Sequence, residues 1–142
     1  MATRVSSIRT LVFFALIAAG TTTAFTEGVE RTAQAGAVTG VATPINLDNA
    51  NSSTIDFKLT LDTHSVPLTF TTSTDALLSD GKQLVAASKW TGGRGGHHVS
   101  GTLSFPLGEL RNARDLILTL RIGGNAAELK FQWTDLQRLA RK

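Results

Sequence analysis

Three imidazoles are the side chains best suited to chemistry here, and they fall in two short stretches. His64 lies in LDTHS (Leu61–Ser65). His97 and His98 are adjacent in WTGGRGGHHVSG (Trp90–Gly101). Asp62 stands two residues before His64, so on an extended chain the carboxylate and imidazole share a face and can reach one ion. Imidazole with carboxylate suits zinc or copper(II). A blue-copper centre needs a thiolate, and the sequence has no cysteine. A copper(I) thioether site is excluded because the only methionine is Met1.

Two arrangements of these residues are open. In one, His98 joins His64 and Asp62 across neighbouring strands, while His97, one residue out of phase, points inward and bonds a loop carbonyl. In the other, the glycines before His97 break the strand, all three imidazoles converge at a strand end, and Asp62 or Asp75 completes or orients the set. The competing reading is structural: histidines at strand–turn junctions whose hydrogen bonds are satisfied locally, with no HExxH spacing to mark ligands.

Gly92–Gly96, with Arg94 inside it, admits an anion-binding nest of backbone N–H groups with a guanidinium clamp. A phosphate loop would carry a lysine and run into a helix, whereas this one runs into a strand pattern. The plainer role is a tight turn in which glycine accepts positive φ. The sequence has no Gly-x-Ser-x-Gly, no cysteine nucleophile and no marked carboxylate pair. Ser65 and Ser100 stand near histidines only in sequence. These features predict a protein that is not an enzyme.

The elements that must position these residues are strands. In TIDFKLTLDT (Thr54–Thr63), Ile55, Phe57, Leu59 and Leu61 alternate with polar residues, the period of a half-buried strand. Val99, Gly101, Leu103 and Phe105 repeat the pattern until Pro106. So do Leu116, Leu118, Leu120 and Ile122, and then Ala127, Leu129, Phe131 and Trp133. Gly123-Gly124-Asn125 between the last two reads as a hairpin turn. Weaker strands are expected at Val38–Leu47, as a first edge strand because of Pro44, at Leu68–Thr72, and at Leu84–Trp90 with Leu84, Ala86 and Trp90 on one face. Thr74–Leu78 suits a helical turn or loop, and Asp80-Gly81 a turn. Six or seven short strands with almost no helix predict an all-β fold, an antiparallel immunoglobulin-like β-sandwich. Its core would hold Ile55, Phe57, Leu59, Leu61, Leu103, Phe105, Leu118, Leu120, Leu129, Phe131 and one or both tryptophans.

The N-terminus reads as an export signal. Arg4 and Arg9 precede the apolar run LVFFALIAAG (Leu11–Gly20), and TTTA follows. Cleavage is expected after Ala24, with Ala33-Gln34-Ala35 as a later alternative. The run is short for a membrane span, so an uncleaved anchor is the secondary reading. Without Arg4 and Arg9 the chain keeps 12 Lys and Arg against 11 Asp and Glu, so it has no basic face of the kind that binds nucleic acid. The domain plan is a signal over residues 1–24, a linker over 25–37, the sandwich over 38–135 and a basic tail over 136–142.

FKLTLDTHSVPLTF (Phe57–Phe70) and WTGGRGGHHVSGTLSFP (Trp90–Pro106) resemble blocks that occur together in small exported bacterial domains of unknown function. The resemblance covers about a quarter of the chain. It implies an exported β-sandwich in which His64, His97 and His98 act together. Two functional expectations follow. One is an exported, non-catalytic domain that binds a divalent transition metal through His64, His97, His98 and Asp62. The other is a metal-free module of the envelope or cell surface whose partner is a protein or a glycan. Neither involves nucleic acid, and membrane contact would come only through an uncleaved leader.

Overall fold

In a computed structural model of the chain, residues 29–136 are described. The leader over 1–24 and all of the basic tail except Leu136 therefore lie outside the described residues. The fold is all-β. Its strands are β1 (Arg31–Ala35), β2 (Val38–Pro44), β3 (Thr54–Thr63), β4 (Ala76–Ser79), β5 (Leu84–Ala86), β6 (Lys89–Trp90), β7 (His98–Pro106), β8 (Leu116–Ile122) and β9 (Ala127–Trp133). One helical turn (Thr72–Asp75) precedes β4 and one 3₁₀ turn (Gly108–Asn112) precedes β8. Among the described residues no helix is long and apolar enough to cross a membrane.

Every pairing is antiparallel. One sheet runs β1-β2-β3-β7-β6 and the other β5-β4-β8-β9. The sheets face each other because each long strand is apolar on one side only. Phe57 of β3 meets Trp133 of β9 with ring centroids 5.0 Å apart, and Phe105 of β7 edge-on at 5.9 Å. Every residue expected in the core from alternation is buried, and of the two tryptophans Trp133 is fully buried and Trp90 partly.

Nine strands stand among the described residues where six or seven were expected, and the set differs in five places. Ala76–Ser79 forms β4, although Thr74–Leu78 was expected as a helical turn or loop. Residues 31–35, expected as linker, form β1. The side chains it packs against the core are only Ala33 and Ala35, so it lacks the apolar alternation that marks its neighbours. β2 is consequently an inner strand, and Pro44 is tolerated because β1 ends at the Arg31↔Ala42 pair. Leu68–Thr72 forms no strand, although Leu68 and Phe70 are buried. The stretch Leu84–Trp90 is not one strand but changes sheets. Ala87 N–H donates to the Ala76 carbonyl in one sheet, and Ser88 N–H to the Ser104 carbonyl in the other. Leu84, expected to share one face with Ala86 and Trp90, is therefore 66% exposed while Ala86 and Trp90 are partly buried.

That crossing joins the sheets along one side. On the other side β1 lies against β9: Arg31 Nε donates to the Gln132 carbonyl at 2.9 Å, and Trp133 Nε1 to the Val29 carbonyl. Both flanks are thus bridged, which leaves little open sheet edge. The chain's functional candidates gather at one end. There the β1–β2 turn, the segment after β3, the glycine loop before β7 and the β8–β9 turn come together.

Candidate site at the loop end of the two sheets

β3 and β7 pair in a register that sets Asp62 opposite His98. Both side chains point outward, and the His98 Nδ1–H donates to Asp62 Oδ1 at 2.5 Å. With Nδ1 committed, Nε2 faces away from the carboxylate. β3 ends one residue later. Buried Thr63 donates its backbone N–H to the His97 carbonyl at 3.0 Å, and its Oγ1 accepts from the N–H groups of Ser65 and Val66 at 3.3 and 3.0 Å. This turn takes His64 off the strand, so Asp62 and His64 no longer share a flat face.

The glycine loop decides the fate of His97. Gly95 and Gly96 have φ of 73° and 75°, a left-handed pair that only glycine adopts without strain. The chain turns there and β7 begins at His98, so His97 is exposed rather than inward-pointing. The loop break required by the second arrangement is therefore present. All three imidazoles are exposed at this one end, beside Asp62. The rings of His64 and His97 make no hydrogen bond among the described residues. Likewise among the described residues, no three His, Asp or Glu side chains stand close enough together to hold a metal ion. Asp75 does not join the histidines either; its Oδ2 accepts the Thr71 N–H at 2.7 Å. The Ser100 hydroxyl lies 3.2 Å from that of Thr60 and is engaged there rather than with an imidazole.

The glycines also close the end of the molecule. A Cβ on Gly101, an inward position of β7, would lie 2.4 Å from the backbone nitrogen of Gly92, so the loop rests on the strand at that point. Trp90 Nε1 donates to the Gly93 carbonyl at 3.0 Å, and the Trp90 ring packs on Phe70 at 5.3 Å. The Gly95 N–H donates to the Leu68 carbonyl at 2.9 Å, which removes one donor from the nest expected of this loop. One residue on, the Thr69 carbonyl accepts the Gly123 N–H at 2.8 Å. The extended segment Leu68–Thr71 thus stitches the glycine loop to the β8–β9 turn.

Between these three pieces lies a groove of about 260 Å³ lined by Thr69, Phe70, Thr71, Asp75, Arg94 and Gly124. Arg94 and Asp75, nineteen residues apart with nothing in the local sequence to link them, share this groove. A second concavity, of about 140 Å³, opens at the opposite end among Leu47, Ile55, Leu110, Leu116 and Leu136. It continues the apolar core beneath Arg111, whose guanidinium donates to the Ala50 and Ser52 carbonyls. The loop end brings together the three imidazoles, Asp62 and the Arg94–Asp75 groove, which makes it the candidate site. Compared with known protein families, curated proteins and solved structures, the chain matches none.

Proposed function

We propose that this chain is an exported, non-catalytic β-sandwich, immunoglobulin-like in its two-layer architecture, that serves the cell envelope or surface as an interaction module. Its partner is a protein or a glycan, recognised at the loop end. The observation that carries this reading is the stitching of the glycine loop and the β8–β9 turn onto Leu68–Thr69. It holds exposed His64, Arg94 and His97 on a fixed frame, with no hydrogen-bond partner for their side chains among the described residues. Loops held by a rigid two-layer scaffold are the usual place for recognition. The hydroxyl of Ser100, the nucleophile candidate nearest the histidine pair, is turned to Thr60, which favours binding over chemistry.

The test is cosedimentation of the chain from residue 25 onward with isolated envelope material, in the presence of a chelator. A His64→Ala/Arg94→Ala/His97→Ala variant is expected to lose at least tenfold in affinity, about 1.4 kcal/mol. Arg111→Ala, at the far end, is expected to bind like the parent. Equal binding by both variants, or none by the parent, overturns the proposal.

A second reading draws on the Asp62–His98 pair. A carboxylate that accepts from one ring nitrogen orients the other towards a metal, as in carboxylate–histidine–zinc sites. Zinc or copper(II) would then be held by His98, with His64 and His97 rotated onto the same ion and Asp62 as orienter or fourth ligand. Isothermal titration with Zn²⁺ and Cu²⁺ tests this. Micromolar binding that His64→Ala and His98→Ala each abolish is expected; absence of heat with both ions rejects it.

A further inference from the structure

We propose that the groove between Arg94 and Asp75 is a subsite for a carboxylated sugar, such as a uronic acid residue. This rests on the interaction-module reading and names the chemistry that the loop end would recognise.

The groove is lined by one cationic and one acidic side chain, Arg94 and Asp75. Arg94 brings a guanidinium whose planar fork of donors matches a carboxylate, and none of those donors is used among the described residues. Asp75 is half-committed: Oδ2 takes the Thr71 N–H, and Oδ1 is left to accept. An ionised carboxylate accepts and does not donate, so a ligand must offer O–H or N–H groups on that side. A simple anion without hydroxyl groups, such as acetate, would satisfy Arg94 and offer Asp75 no donor. A ligand anionic at one end and hydroxylated at the other satisfies both.

The remaining lining points the same way. Thr69 and Thr71 are exposed on the outer side of the Leu68–Thr71 segment, and their hydroxyls both donate and accept, as ring hydroxyls require. Phe70 lies between them, turned inward onto Trp90, and forms the apolar floor. Gly124 has no side chain and leaves the wall on the turn side low. The groove's 260 Å³ lies just below the range of drug-sized sites, which suits a single ring rather than an extended chain buried along its length. The frame is preorganised because Gly95 and Gly123 are both anchored to the segment that carries the threonines.

Isothermal titration of the chain from residue 25 onward, with glucuronate, galacturonate, a uronate oligosaccharide, glucose, galactose, glutamate and acetate, tests the proposal. A uronate is expected to bind at least tenfold tighter than its neutral counterpart, and than acetate or glutamate. Arg94→Ala is expected to remove at least tenfold of that binding, Arg94→Lys less, and Asp75→Asn to weaken it while leaving acetate unchanged. Tighter binding of the oligosaccharide marks a residue within a polymer as the ligand, and equal binding marks the free sugar; either supports the subsite. Thermal unfolding of each variant identifies any that fail to fold, and Arg94→Lys keeps the test alive if Arg94→Ala does. Equal binding of uronate and neutral sugar, preference for acetate or glutamate, or absence of heat with every sugar overturns the proposal. If envelope cosedimentation still depends on the loop end while uronates give no heat, the subsite fails and the interaction-module reading stands. Loss of both removes both.

Discussion

At position 40 there is no room for a methyl group. A Cβ there would meet Leu129 Cδ1 and Phe131 Cζ, each at 2.8 Å, because two β9 side chains fill the hollow that Gly40 leaves in β2. Overpacking of this kind costs about 1–3 kcal/mol. Gly40→Ala is therefore expected to lower the unfolding free energy by that amount, read as a lower urea midpoint at unchanged slope. Asp62→Asn should behave differently. Its bond to His98 is between two exposed side chains, 57% and 64% exposed, and such pairs contribute about 0–1 kcal/mol. A loss within that range, by the same measurement, would place the pair's importance in orientation rather than in stability. Asp80 supplies a pH dependence with a definite sign. The N–H groups of Gln83 and Lys82 hold its carboxyl below the ordinary value of 3.8. The folded state therefore binds that proton less readily than the unfolded chain. The stabilising contribution is present above the unfolded value and fades as pH falls through the folded one. Urea curves from neutral to acid pH should fall less steeply for Asp80→Asn than for the parent.

Single elements show what alternation can and cannot reveal. β3, β7, β8 and β9 are each apolar on one face, so their inward residues were readable from spacing alone. β1 was not, because alanine pairs carry no such contrast. The crossing at Ala87–Ser88 was hidden for a different reason. It is defined by the carbonyls of Ala76 and Ser104, which local sequence does not identify. The site was half legible on the same terms. Register could bring Asp62 beside His98 once β3 and β7 paired, but the direction of His97 turned on the φ of Gly95 and Gly96. The groove was invisible because Thr69, Asp75, Arg94 and Gly124 meet only through the folded end; the one cation among four glycines was the available hint. The end of β3 yields a further prediction. Thr63 is buried, and its hydroxyl satisfies the N–H groups of Ser65 and Val66. Thr63→Val keeps the shape and strands those donors, at about 1–3 kcal/mol. Thr63→Ser should restore most of the loss, and unchanged stability in the valine variant would count against this role.

The closure of the whole molecule bears on where a leader could be cut without loss of the fold. Ala33-Gln34-Ala35, the later candidate for signal cleavage, is the second half of β1 and pairs with Val38–Gly40 across a tight turn at Gly36. Cutting after Ala35 would remove β1 entirely. That would free the edge of β2 and strip Trp133 Nε1 of the Val29 carbonyl and Gln132 of its contact with Arg31. An inner strand made into an edge offers unpaired backbone groups to other chains. Cutting after Ala24 leaves all of these contacts in place, because every described residue lies beyond it. The full chain expressed with its leader in an exporting bacterial host is therefore expected to yield a mature N-terminus at Phe25, read by intact mass. A chain begun at Gly36 should unfold at lower temperature and elute in part as higher-order species on size exclusion. Recovery of a stable monomer beginning at Gly36 would show that the sheets do not need β1, and with it the argument for the bridged flank would fall.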